Sequence, residues 1–129
     1  MVVVTLIALA SVGVTLALRD SSDSALDRDA QRLAAVLEAA RAQARANDSL
    51  VWWQARGEGF VLQGLPGPQT VQPWLSPDTR TSTTTPLLLG PEPLLAPQQV
   101  VLWNARRPEI RRQVSSDGLR PFALQAPAP

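Results

Sequence analysis

Residues 1–18, MVVVTLIALASVGVTLAL, carry no charge, and no other stretch constrains the chain as strongly. The polar side chains in it are Thr5, Ser11 and Thr15, whose hydroxyls can bond back to helical carbonyls. At about 1.5 Å per residue the stretch spans roughly 27 Å as a helix, close to the ~30 Å hydrocarbon thickness of a bilayer. It ends at Arg19-Asp20, where two charges suit a headgroup boundary. A helix lying on a water-soluble core would show polar residues every third or fourth position, and this one does not. The reading is a transmembrane helix over 1–18. The alternatives are a fully buried helix or a cleaved signal peptide, which needs a basic segment ahead of a shorter apolar run. Arg19 and Arg28 follow the helix and nothing basic precedes it, so the positive-inside rule would leave the remainder in the cytoplasm. A basic leader upstream would reverse that orientation.

Without this helix about 110 residues remain, enough for one small domain. A net charge of +1 gives no overall field that would draw nucleic acid or an anionic surface. Cysteine and histidine are absent, which excludes disulfides, thiolate or imidazole metal sites, and cysteine or histidine catalysis. All twelve basic residues are arginine, so a serine nucleophile has no lysine base either. There is no phosphate-binding glycine loop and no calcium loop. The chain is expected not to be an enzyme and to need no cofactor or metal.

Residues 19–48 read as an amphipathic helix continuing the first. Leu26, Ala30, Leu33, Leu37, Ala40 and Ala44 recur at four- and three-residue intervals and so share one face. Asp20, Asp23, Asp27 and Asp29 lie toward its start and Arg41 and Arg45 toward its end, a polarity that suits the helix dipole. Asn47-Asp48-Ser49 is the expected stop. Two readings of the stripe stay open: a core face packed on the sheet that follows, or a helix-packing interface shared between that sheet and neighbouring subunits.

Residues 49–125 read as antiparallel strands with a Pro/Thr-rich loop over 66–99, and 126–129 as a tail. Leu50–Gln54 and Phe60–Leu62 flank Gly57-Glu58-Gly59 as a hairpin. A short strand is expected near Leu87–Leu89 and another over Val100–Trp103. Ile110–Val114 and Leu119–Leu124 make a closing hairpin about Asp117-Gly118. Pro121 cannot donate a ladder bond, so that last strand should be an edge or bulged. Trp52 and Trp53 alternate faces, one for the core and one for an interface or the membrane surface, with core plus incidental exposure as the plainer reading. Arg106, Arg107, Arg111, Arg112 and Arg120 form the one basic concentration, and with Trp103 could bind phosphate or DNA. A solvated strand face is the plainer reading.

An apolar helix, an amphipathic helix and a small β domain in that order resemble type IV pilin-like proteins, and most closely the H-type minor pseudopilin of type II secretion. VVVTLIALASVGVTLAL resembles the body of the prepilin membrane segment. Residues 28–65, RDAQRLAAVLEAARAQARANDSLVWWQARGEGFVLQGL, resemble the family's helix and first hairpin. Residues 115–125, SSDGLRPFALQ, resemble its closing hairpin. The family's basic leader, cleavage-site glycine and Phe-Thr-Leu-x-Glu are not present, so the leader, the methylated N-terminal residue and the assembly glutamate map onto no residue here. An upstream start is the expectation.

The resemblance implies an α+β, pilin-like fold: a long N-terminal helix, half membrane and half amphipathic, packed on a small antiparallel β domain. It implies a structural subunit near the tip of the periplasmic pseudopilus that drives protein export. The protein would be anchored by a single pass in the bacterial inner membrane, with its C-terminal domain in the periplasm. Implied partners are other major and minor pseudopilins, the inner-membrane assembly platform, the lipid bilayer and secreted cargo; nucleic acid is not expected. A DNA-binding minor pilin of a type IV pilus and an unrelated bitopic protein with a periplasmic domain are the rival readings. On the interface reading, Leu33→Asp with Leu37→Asp abolishes assembly and leaves the β domain soluble; loss of the fold marks a core helix.

Overall fold

The computed structural model describes residues 2–67, 69–91 and 96–125, with side chains from Asp23 to Leu124 within those ranges. It is an α+β structure, one helix packed on two small antiparallel sheets. The helix α1, Val2–Asn47, runs without a break through both helical stretches expected from the sequence. Among the described residues no helix is long and apolar enough to cross a membrane. The transmembrane expectation for 1–18 falls where no side chain is described, so it lies outside that statement, as does the tail 126–129.

The helix ends where Asn47-Asp48-Ser49 predicted. Asp48 takes a left-handed φ of 48°, and the Ser49 N–H donates to the Ala44 carbonyl at 3.0 Å. That six-residue bond closes a Schellman cap, with aspartate in the place glycine usually fills.

Eight strands follow: β1 Val51–Arg56, β2 Gly59–Gln63, β3 Gln72–Pro73, β4 Thr79–Thr81, β5 Leu87–Gly90, β6 Gln98–Asn104, β7 Arg111–Ser116 and β8 Ala123–Gln125. They form two four-stranded sheets, in the orders β3-β2-β1-β5 and β4-β6-β7-β8, and every pairing is antiparallel. The expected first hairpin is present. Gly57, at the first central position of its two-residue turn, has a φ of 57°, which a type II′ turn requires there. Trp53 is fully buried and Trp52 is 37% exposed, as their alternation implies.

Two departures stand out. The stretch expected to be loop contains β3 and β4 and buries Trp74, whose ring packs tilted against Phe60 at 5.2 Å between centroids. The closing hairpin is shorter on its second side: β8 begins at Ala123, past Pro121, and forms the edge of its sheet. Over 117–122 the backbone is satisfied by side chains instead. Asp117 accepts from the Leu119 and Arg120 N–H groups, Ser116 and Arg41 take the Arg120 and Gly118 carbonyls, and Glu38 takes the Phe122 N–H.

The core lies between α1 and the two sheets. Helix residues Leu26, Leu33 and Leu37 meet Val51, Trp53, Phe60 and Leu89 from the first sheet and Val100, Leu102 and Val114 from the second.

Candidate functional site

Leu26, Ala30, Leu33, Leu37 and Ala44 are fully buried and Ala40 is 2% exposed. They are the floor of this chain's own core. Small residues do permit close approach here, but it is the sheet that approaches: a Cβ added at Gly90 would lie 2.7 Å from the Ala44 Cβ. The stripe therefore has no surface left for a neighbouring subunit, and the interface reading of these six residues is corrected to a core face. The exposed side of the helix carries Ala35, Ala39, Ala42 and Ala46 at the same four- and three-residue spacing. This second alanine row was in the sequence, masked by the leucines that drew attention to the first.

The arginine group is divided by the fold. Arg112 turns toward the helix, with Nε on Asp27 and an Nη on Asp23 at 3.3 Å. Arg120 sits beyond the other end of β7, beside Asp117 at 3.8 Å. Arg106, Arg107 and Arg111 stay together at the β6–β7 turn, where Arg106 reaches Asp78 at 3.2 Å and Asn104 accepts the N–H groups of Arg106 and Arg107. Trp103 pairs across strands with Arg111 on one side and Arg80 on the other, so the three share one face of the second sheet. Arg80 was missed because it falls in the Pro/Thr-rich stretch read as loop.

Charged side chains of α1 fasten the loops of the β portion. Asp29, 1% exposed, accepts from the Leu75 N–H at 2.6 Å, the Ser76 N–H at 3.1 Å and the Thr79 hydroxyl. Arg41, also 1% exposed, donates to the Gly118 carbonyl at 2.6 Å and the Arg120 carbonyl at 3.3 Å. Its neighbour Glu38 accepts from Arg41 at 3.5 Å and from the Phe122 N–H at 2.8 Å. Arg32 donates to the Pro73 carbonyl at 2.8 Å and lies 5.5 Å from the Phe60 ring centroid. These contacts also set direction. Arg112, at the start of β7, lies by Asp23 and Asp27, and Gly118, just past its end, lies by Arg41; β7 thus runs alongside α1 in the same sense.

Two shallow clefts share Ser115, Ser116 and Asp117, one continuing to Gln98 and Gln99, the other to Arg120 and Ala123. Neither gathers an acid, a base and a nucleophile into one enclosed space. The Arg120 and Leu119 N–H groups hold the Asp117 carboxyl below its usual range, which is the work of an exposed turn residue. Among the described residues no group of aspartates and glutamates is placed to hold a metal ion. Asp29, Glu38, Arg41 and Arg112 fasten one element to another. Comparison with known protein families, with curated proteins and with solved structures finds no match to this chain.

Proposed function

We propose that this chain is a pilin-like structural subunit, a minor pseudopilin of the H type in a type II secretion system. In this reading residues 1–18 hold it in the bacterial inner membrane, the β portion stands in the periplasm, and sister helices pack together when the subunit enters the filament. Its partners are major and minor pseudopilins, the inner-membrane assembly platform, lipid and secreted cargo.

The observation that carries the reading is the single helix Val2–Asn47. It spans about 69 Å at 1.5 Å per residue, roughly twice the ~30 Å breadth of a β portion of this size. The sheets cannot cover all of it. Its first stretch is uncharged in sequence, and its second half is clad by the sheets on one side and lined with Ala35, Ala39, Ala42 and Ala46 on the other. Such small residues let helices approach closely, so sister helices would pack on this row and not on the buried stripe. The DNA-binding alternative draws less support, because the five arginines it needs do not form one strip.

The chain has no cysteine, so an introduced one is unique. The full chain carrying Ala39→Cys is expressed in secretion-competent cells. It is expected to stay in the inner-membrane fraction through an alkaline wash and to crosslink to pseudopilins bearing a helix cysteine. Arg56→Cys, at the end of β1 beside the β1–β2 turn, is expected not to. Release by the wash, or equal crosslinking at both positions, overturns the proposal.

A further inference from the structure

The β portion has two ends along the helix axis, and they differ. At the end toward Val2 lie the β6–β7 turn, Ala105–Ile110, and the segment Leu75–Asp78; the two are joined by the Ala105 N–H on the Asp78 carbonyl at 2.7 Å. Asp29 and Arg112 tie this end to the third decade of α1. The turn and strand face carry Arg80, Arg106, Arg107 and Arg111 against Asp78 and Glu109, with Trp103 between Arg80 and Arg111. The helix acids at this level are taken up, Asp23 and Asp27 by Arg112 and Asp29 by the Leu75 and Ser76 N–H groups and the Thr79 hydroxyl. Leu75 is 59% exposed beside it and borders a small groove with Ala25 and Arg28. An aliphatic side chain in water, a half-buried tryptophan and an arginine excess together make up the composition found at the headgroup level of membranes.

The separation fits as well. From Leu18 to Asp27 the helix rises about 13 Å, and the headgroup layer extends roughly 5–8 Å beyond the hydrocarbon on each side. A turn projecting from the level of Asp27 toward the helix start meets that layer.

We infer that this end is a docking surface for anionic lipid: before filament entry the β portion rests on the membrane, Arg80, Arg106, Arg107 and Arg111 against headgroup phosphates and Trp103 and Leu75 at headgroup depth. The inference rests on the membrane reading of residues 1–18 proposed above. It adds that the orientation of the β portion is set by lipid charge as well as by the helix tether.

The test uses the full chain reconstituted into vesicles of phosphatidylcholine alone or an equal mixture with phosphatidylglycerol. A fluorophore is placed on Glu109→Cys in the turn or, as a distant reference, on Leu119→Cys, and a headgroup spin label quenches it. The turn label is expected to be quenched more than the reference, and more in the mixed vesicles than in phosphatidylcholine. Arg107→Gln and Arg111→Gln should each lower the docked-to-free ratio by roughly fivefold, and added salt should do the same. Circular dichroism checks that each variant keeps its fold. If the chain floats with both vesicles but turn quenching ignores lipid charge and both substitutions, docking fails and the membrane reading stands. If the chain does not float, both fall.

Discussion

The first sheet, β3-β2-β1-β5, reaches α1 through apolar side chains, one close backbone approach at Gly90, and Arg32 on the Pro73 carbonyl of its edge strand. The second, β4-β6-β7-β8, shares the apolar floor and is also held at both ends, by Arg112 on Asp23 and Asp27 and by Arg41 and Glu38 on the loop past β7. The difference follows from chain order. The first hairpin comes directly off the helix and closes on its own two-residue turn. The loop closing the second sheet leaves its backbone groups unpaired, and the helix supplies partners from about 80 residues away in sequence, as Arg41 to Gly118 does at a separation of 77. Packing joins the first sheet to the helix; hydrogen bonding completes the second.

The largest effect should come where both sheets share one support. Leu37 is fully buried under them, and Leu37→Asp places a carboxylate in that apolar floor. A cost above about 4 kcal/mol is expected, enough to unfold a domain of this size. Urea unfolding of the purified chain in detergent checks it. A folded variant that failed only in assembly would restore the interface reading of the stripe.

Next comes the clasp. Arg41→Ala strips the Gly118 and Arg120 carbonyls and the Glu38 carboxylate of a buried partner, at about 3 kcal/mol. Arg41→Lys keeps the charge but cannot fork to two carbonyls, and should recover only part of that. Hydrogen exchange should open over 117–125 before the first hairpin loosens. Uniform loosening would mean that the two sheets do not differ as described.

The first sheet has its own test. Gly90→Ala drives a methyl into Ala44 and should cost about 1–3 kcal/mol through overpacking. Ala44→Gly in the same chain should relieve part of it, so the two changes should couple by about 1 kcal/mol in a double-mutant cycle. Additive effects would place the strain elsewhere.

These contrasts explain what could be read from the sequence. The helix, its stop at Asp48, the first hairpin and the strands at Leu87 and Val100 follow from local period and turn chemistry, and the structure has them. The core stripe was legible as a stripe, yet periodicity shows only that six residues share a face, never what covers it. Asp29, Glu38 and Arg41 gave no signal as structural residues, because their partners are backbone groups 46 to 84 positions away and every backbone carries the same groups. Trp74 and Arg80 were hidden by the prolines and threonines around them. The arginine group looked continuous because Arg111 and Arg112 are adjacent, but neighbours on a strand face opposite ways.

The smallest effect lies at the tip of the second sheet's closure, where the turn depends on a charge and the first hairpin depends on Gly57. The Arg120 and Leu119 N–H groups hold the Asp117 carboxyl below its usual range. A carboxyl with a depressed folded pKa stabilises the fold above its unfolded value, and that contribution is lost as pH falls through the folded one. Asp117→Asn keeps an oxygen to accept both bonds and removes the charge. It should lower Tm slightly at neutral pH. The gap should begin to close as pH falls below the ordinary aspartate value of about 4 and vanish only once pH has passed below the depressed native one. Because Asp117 is exposed, the shift should be small and weaken with salt. A gap that persists unchanged into acid would mean that shape alone, not charge, holds the turn, and the closure of the second sheet would then resemble that of the first.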